Sequence, residues 1–272
     1  MVIWFLLQAT KLQPRPLAQP QPRQLAQPRR LAQPRLLAKP QQRLLPPQQQ
    51  NRFCIIVLFP ESVGLCSDEN TTSAAPIFLI TFGSGPATFS LETPANFSFT
   101  TSYQQMFTTP ISDGYFGFTN AVPSSTIVWH GGATDHTPND IGGYMFFANA
   151  DPNPGQFYKG IVDNLCIGQR YEFSAYLANV VGLFGLAKPN VLFEIRTATS
   201  DNTLLAQISS GDIPEYSSMT WTQYGISFVA TNTSVILLMI STTANGAGND
   251  MAIDDIAFRA CSNASSGVCS TG

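Results

Sequence analysis

Two adjacent carboxylates, Asp254 and Asp255, sit in the middle of an apolar run, "GNDMAIDDIAF", residues 248–258. Side chains alternate along a strand, so Met251, Ile253, Asp255 and Ala257 share one face. Ala252, Asp254, Ile256 and Phe258 share the other, and each face carries one Asp. A carboxylate beside a core must be paired, hydrogen-bonded or bound to a metal. A second acidic group lies in "WHGGATDHTPNDIGGYMFFANADPNPGQFY", residues 129–158. Its Gly- and Asp-rich loop carries Asp135, His136 and Asp140. Calcium takes about six to eight oxygen ligands, and these Asp can supply several. Each can equally cap a turn through its own side chain.

Hydrolase and nucleotide motifs are missing: there is no GxSxG, no HExxH, no P-loop and no GxGxxG after a strand. Only His130 and His136 could serve a Ser-His-Asp site, and nothing locates a nucleophile for either. A carboxylate pair for glycoside hydrolysis is set by spatial distance, which sequence spacing does not reveal. The reading is therefore non-catalytic, with no catalytic residues assigned. Sugar binding calls for aromatic platforms beside polar groups, and Trp129, Tyr115, Trp221 and Tyr216 are the candidates. Each can alternatively pack on a sheet face.

These residues must be positioned by strands. From Ala75 onward, short apolar or aromatic runs alternate with Gly, Pro, Asn and Asp. The pattern predicts strands near 77–82, 97–103, 115–120, 126–130, 143–149, 156–162, 170–179, 190–199, 203–209, 219–230, 233–242 and 251–259. In "RYEFSAYLAN", Tyr171, Phe173, Ala175 and Leu177 form an apolar face. That is a strand covered on one side, as in a sandwich. The fold class is all-β: a two-sheet antiparallel jelly-roll sandwich, preceded by a disordered Pro/Gln/Arg-rich N-terminal segment.

Charge divides the chain. The first 52 residues hold nine of the 14 Lys and Arg and no acid. The rest holds five basic and 17 acidic residues, a formal net of −12. Such an acidic body argues against nucleic acid, which needs clustered Lys and Arg. Within the head, "LAQPRR", "LAQPRL" and "LAKPQQ" repeat every six residues. Frequent Pro keeps this stretch out of helices and sheets. It reads as a translated tandem repeat, or else as a basic stalk or a ligand for proline-binding modules. The segment "NRFCIIVLFPESVGLCS" has the basic, apolar and small-residue order of a secretory signal, and "MVIWFLLQAT" is a shorter rival. Neither reaches the roughly 20 residues of a membrane span. The expected organisation is 1–52 low complexity, 53–67 signal-like, 68–75 linker, 76–262 jelly roll and 263–272 tail. No Cys lies in a CxxC pair, and sequons at Asn70, Asn96, Asn232 and Asn263 lean toward an extracellular glycoprotein.

The ordered set "FGSGP" (82–86), "DGYF…TN" (113–120), "DHT…GGYMFFANADPNPGQFY", "LCIGQRYEFSAYLANVVG" and "MAIDDIAFRAC" resembles the MAM domain of adhesion receptors and related jelly rolls of bacterial surface adhesins. These are similar in turn to galactose-binding-like and carbohydrate-binding jelly rolls. The resemblance covers Ile77 to Cys261 and implies a secreted or surface adhesion module with an extracellular protein partner. The alternative it implies is a lectin-like, glycan-binding module. It implies a Cys166–Cys261 disulfide, with Cys54 lost in a cleaved signal and Cys66 and Cys269 paired or one left free. It further implies a structural Ca2+ at Asp254, which could otherwise act as a loop hydrogen-bond acceptor. Because "TFGSGP" lacks the acidic residue usual after the first strand, backbone carbonyls, Asp113 or Asp250 could replace it, and Asp135 is the loop's own candidate ligand. Asp255 is expected to face the other sheet surface or solvent.

Overall fold

The computed structural model describes residues 65–66, 75–182, 185, 187–261 and 269. The low-complexity segment, the signal-like segment before Leu65 and sequons Asn70 and Asn263 lie outside them. Among the described residues no helix is long and apolar enough to cross a membrane.

Two sheets face each other. The strands are β1 (Phe78–Ile80), β2 (Gln104–Gln105), β3 (Tyr115–Thr119), β4 (Met145–Asn149), β5 (Gln156–Val162), β6 (Arg170–Asn179), β7 (Asn190–Thr197), β8 (Leu204–Asp212), β9 (Thr222–Val229), β10 (Val235–Ser241) and β11 (Met251–Ala260). The larger sheet runs β2-β3-β4-β11-β6-β9, with β1 also on β11, and the smaller runs β5-β10-β7-β8. Every pairing is antiparallel except the two-residue contact of β2 with β3. The expected sandwich is therefore present.

Alternation explains the core. Tyr171, Phe173, Ala175 and Leu177 of β6 point inward as the sequence pattern requires, beside Phe116, Phe118, Phe146, Phe193 and Phe258. Burying one such aromatic side chain contributes about 1.5–3 kcal/mol. The opposite face of the larger sheet carries a second cluster. Met145, Phe147 and Ala252 meet Ile111 and Val122 from loops, with Tyr115, Trp129 and Trp221 partly buried against it. Loops thus cover this sheet on the outside and carry the polar groups of the sites below.

Two expected strands do not form. In 97–103, a 3-10 helix, Pro94–Phe97, ends at Ser98 in the left-handed region (φ 59°), which breaks the extended run. Thr100 then makes only an isolated bridge to Lys159. In 126–130, Trp129 makes one bridge to Val181, and the backbone next folds on itself through Ala133 N to His130 O.

The disulfides differ from the expected pairing. Cys66 joins Cys261 and Cys166 joins Cys269, so Cys166 does not reach Cys261. The register shows why. Tyr171 of β6 faces Ala260 of β11, and Cys261 N donates to Arg170 O. Cys166 lies before a tight turn: Gln169 N donates to Cys166 O and Gly168 is left-handed at φ 84°. Cys269 comes to this turn, its amide donating to Asn164 O, and bonds Cys166 there. Cys66 fills the place beside Cys261, with its amide on the buried Glu172 carboxylate at 2.7 Å.

Candidate functional site

The two carboxylates of β11 share one partner. β6 runs along one edge of β11. The other edge is divided: β4 pairs with Met251–Ile253 and β1 with Ile256–Phe258. Asp254 and Asp255 fall in the gap, where the register with β6 also slips and Asp255 takes φ 47°. This bulge breaks the strict alternation. Both carboxylates therefore reach the 135–137 loop, and Asp255 does not face the opposite sheet surface.

Asp254 is fully buried and accepts the amides of His136 (2.8 Å) and Thr137 (3.3 Å) on Oδ2. Its Oδ1 accepts the Asp255 amide at 2.8 Å. Burial pushes its carboxyl up to about 8, against the pull of those amides. Asp255 receives the Thr137 hydroxyl at 2.9 Å, and His136 Nδ1 lies 2.7 Å from its Oδ2. The His136 ring stacks on Tyr176 at 3.5 Å, with Trp221 edge-on at 6.0 Å. The Trp221 indole N–H is donated to Thr134 O. Asp135, beside this clasp, is pushed up by burial and by Asp140. Its carboxylate occupies the space a Cβ on residue 143 would need, so any other residue there would displace the Asp135 side chain.

This arrangement suits a loop anchor. The Asp254 oxygens are engaged by backbone amides of the loop, which ties the loop to β11. Among the described residues no three His, Cys, Asp or Glu side chains gather as a metal site. The residues implied as Ca2+ candidates divide between two places, Asp254 with Asp135 here and Asp113 with Asp250 elsewhere.

The second place is an open groove where β3 and β11 begin and β4 and β6 finish. Two adjoining clefts share Asp113. One, about 400 Å3, is lined by Tyr103, Tyr115, Asp151 and Asn153. The other, about 320 Å3, is lined by Trp129, Asn149, Asp250 and the 246–248 turn. Asp250 is only 6% exposed. Its Oδ2 accepts the Trp129 indole N–H at 2.8 Å, while its buried Oδ1 has no hydrogen-bond partner. Burial pushes the Asp250 carboxyl up to about 7; the indole and the nearby Ala150 amide pull the other way, and Asp113 adds to the rise. Trp129 is held edge-on against Phe147 at 4.9 Å. Asp151 closes a turn by accepting both the backbone and side-chain N–H groups of Asn153. Gly114, left-handed at φ 82°, lets this carboxylate approach.

Sequence candidates Tyr115, Trp129, Asp113 and Asp250 thus converge on this groove. Trp221, Asp254 and Asp135 belong to the clasp, and Tyr216 stands apart, 48% exposed. Of the described sequons, Asn96 is exposed and Asn232 half-buried. Sequence reasoning missed Tyr103 and Asp151 in the groove. "DPNPG" does mark the turn that Asp151 closes.

No family model matches the sequence, and no curated protein matches it. Solved structures give distant likenesses. The EclA C-terminal domain, a sugar-binding protein, has a TM-score of 0.34 at 19% identity over 51% of this chain and 88% of its own. A cyclase from Fischerella sp. TAU has a TM-score of 0.46 at 14% identity, over 70% and 97%. The CBM22-1 xylan-binding domain from Paenibacillus barcinonensis has a TM-score of 0.35 at 10% identity, over 71% and 99%. The chemistry of the groove has to be argued from its own residues.

Proposed function

We propose that the chain is a non-catalytic glycan-binding module of oxidising, extracellular surroundings, and that the groove through Asp113 is its binding surface. The observation that carries this reading is the groove's wall chemistry. Tyr115 and Trp129 supply aromatic surface, and Asp113, Asp151, Asn153 and Asp250 supply hydrogen-bonding groups within the same pair of clefts. A sugar presents an apolar C–H face and a hydroxyl rim, which call for those two kinds of wall together. Two disulfides support the compartment.

A protein-adhesion role of the MAM kind is the second reading. Leu79, 50% exposed, and Ile161, 60% exposed, favour it, because they flank an apolar cleft of about 380 Å3 away from the groove.

The test is a broad glycan array probed with the full chain, followed by calorimetry with any hit. Tyr115→Ala, with its fold checked by circular dichroism, should weaken binding at least about tenfold, as expected from losing one stacking wall. Silence across the array, or a hit indifferent to Tyr115→Ala and Asp113→Ala, refutes the assignment.

A further inference from the structure

We infer that Asn245 is a self-modifying residue, which closes on the next backbone nitrogen, turns into aspartate and isoaspartate, and so reshapes the wall of the groove. Asn245-Gly246 is the one Asn-Gly pair in the sequence. It lies in the loop between β10 and β11. Glycine has no Cβ to shield its nitrogen. The structure then exposes that nitrogen to the Asn245 side chain. Asn245 is exposed. Its Oδ1 accepts the Ala247 amide at 3.0 Å, which folds the carboxamide back over the Gly246 peptide and polarises Cγ. Among the described hydrogen bonds the Gly246 N–H donates to none, so no acceptor holds it back.

The reaction needs only water and base. The Gly246 nitrogen gives up its proton and attacks Asn245 Cγ. A nitrogen–carbon bond forms, the Cγ–Nδ2 bond breaks, and ammonia leaves with a proton. Water then opens the cyclic imide at either carbonyl. Opening at Cγ gives aspartate. Opening at the backbone carbonyl gives isoaspartate, whose main chain is longer by a methylene. Either product sets a new carboxylate at the turn. The place matters, because Gly246, Ala247 and Gly248 line the cleft of Trp129 and Asp250. A Cβ on Gly246 would lie 3.2 Å from Pro152 Cδ and 3.4 Å from Asp113 Oδ2. A lengthened main chain there has to push on the groove wall, and the added charge lands beside Asp113.

The effect on binding rests on the glycan reading, whereas the chemistry does not. The full chain is held at physiological temperature at pH 8 and pH 5, and peptide mapping follows its Asn residues. Asn139 and Asn202 are exposed but precede Asp140 and Thr203. Asn245 should convert at least about tenfold faster than either, and faster at pH 8 than at pH 5. Asn245→Gln should stop the reaction over the same period, and Gly246→Ala should slow it several-fold, each with its fold checked by circular dichroism. Equal rates at the three Asn residues, or no conversion at Asn245, overturn the inference. Hydrogen exchange across 246–250 should quicken in the aged chain and stay unchanged in aged Asn245→Gln. Identical exchange in fresh and aged chain overturns the reshaping of the wall. Any glycan bound by the fresh chain should bind more weakly as the isoaspartate fraction grows, and undiminished affinity after full conversion counts against the inference in the same way. If the array is silent, the glycan reading falls while mapping and exchange still decide this inference.

Discussion

Asp254 shows how a carboxylate survives at the centre of an apolar strand. Three backbone amides are aimed at it, from His136, Thr137 and Asp255, and solvent is excluded. Desolvation outweighs the amides and lifts its pKa from 3.8 to about 8; Asp250 rises for the same first cause to about 7. The sign for stability follows by linkage. Between the unfolded value and the raised folded value, the native state holds a proton that the unfolded chain has lost, so stability falls as pH rises. Urea unfolding should therefore give a higher midpoint near pH 5 than near pH 8. Asp254→Asn should flatten the slope across that window. At the acid end of the window it should also cost roughly 1–3 kcal/mol, because an amide N–H would confront a backbone donor, and that cost should shrink as pH rises. A slope in Asp254→Asn equal to that of the unsubstituted chain would show that Asp254 does not carry the effect.

β11 is the element on which sequence and structure agree most and least. Its apolar alternation, like that of β6, is written in residue order, and both strands lie where the pattern sets them. The slip at Asp254–Asp255 is not. It arises because β4 and β1 divide one edge of β11 between them, a tertiary fact with no local signature. The same limit hid the disulfide pairing. Strand adjacency correctly brings the start of β6 to the end of β11, but the short turn before β6 decides which Cys arrives there. In the groove, Tyr115 and Trp129 were legible as aromatic residues beside polar loops. The orphaned Asp250 oxygen depends on burial and was not. Non-reducing peptide mapping of the folded chain should recover Cys66 linked to Cys261 and Cys166 linked to Cys269. A paired Cys166→Ser, Cys269→Ser variant should lose about 2–5 kcal/mol of stability, as expected when a long closed loop is released. Recovery of a Cys166–Cys261 peptide would refute the register argument.

Across the molecule, polar and apolar clefts occupy different places. The acidic groove opens where β3 and β11 begin. The apolar cleft lies between β1 and β5, where Leu79 and Ile161 are exposed and Phe78, Phe97 and Tyr158 line the wall. An exposed apolar recess on a sheet edge invites self-association. Asn96, an exposed sequon residue, lines this same recess, and its Oδ1 accepts the Thr93 amide and hydroxyl. A glycan attached there would stand over Leu79 and Ile161 and hide them from a second molecule. Protein made in a glycosylating secretory host should therefore carry sugar at Asn96 and sediment as a monomer. Asn96→Gln from the same host should show concentration-dependent association, and adding Ile161→Lys should reverse it, because a charge placed in the recess opposes apolar contact without touching the core. If Asn96→Gln stays monomeric at all concentrations, the recess is not a self-association surface and the sugar has nothing to shield.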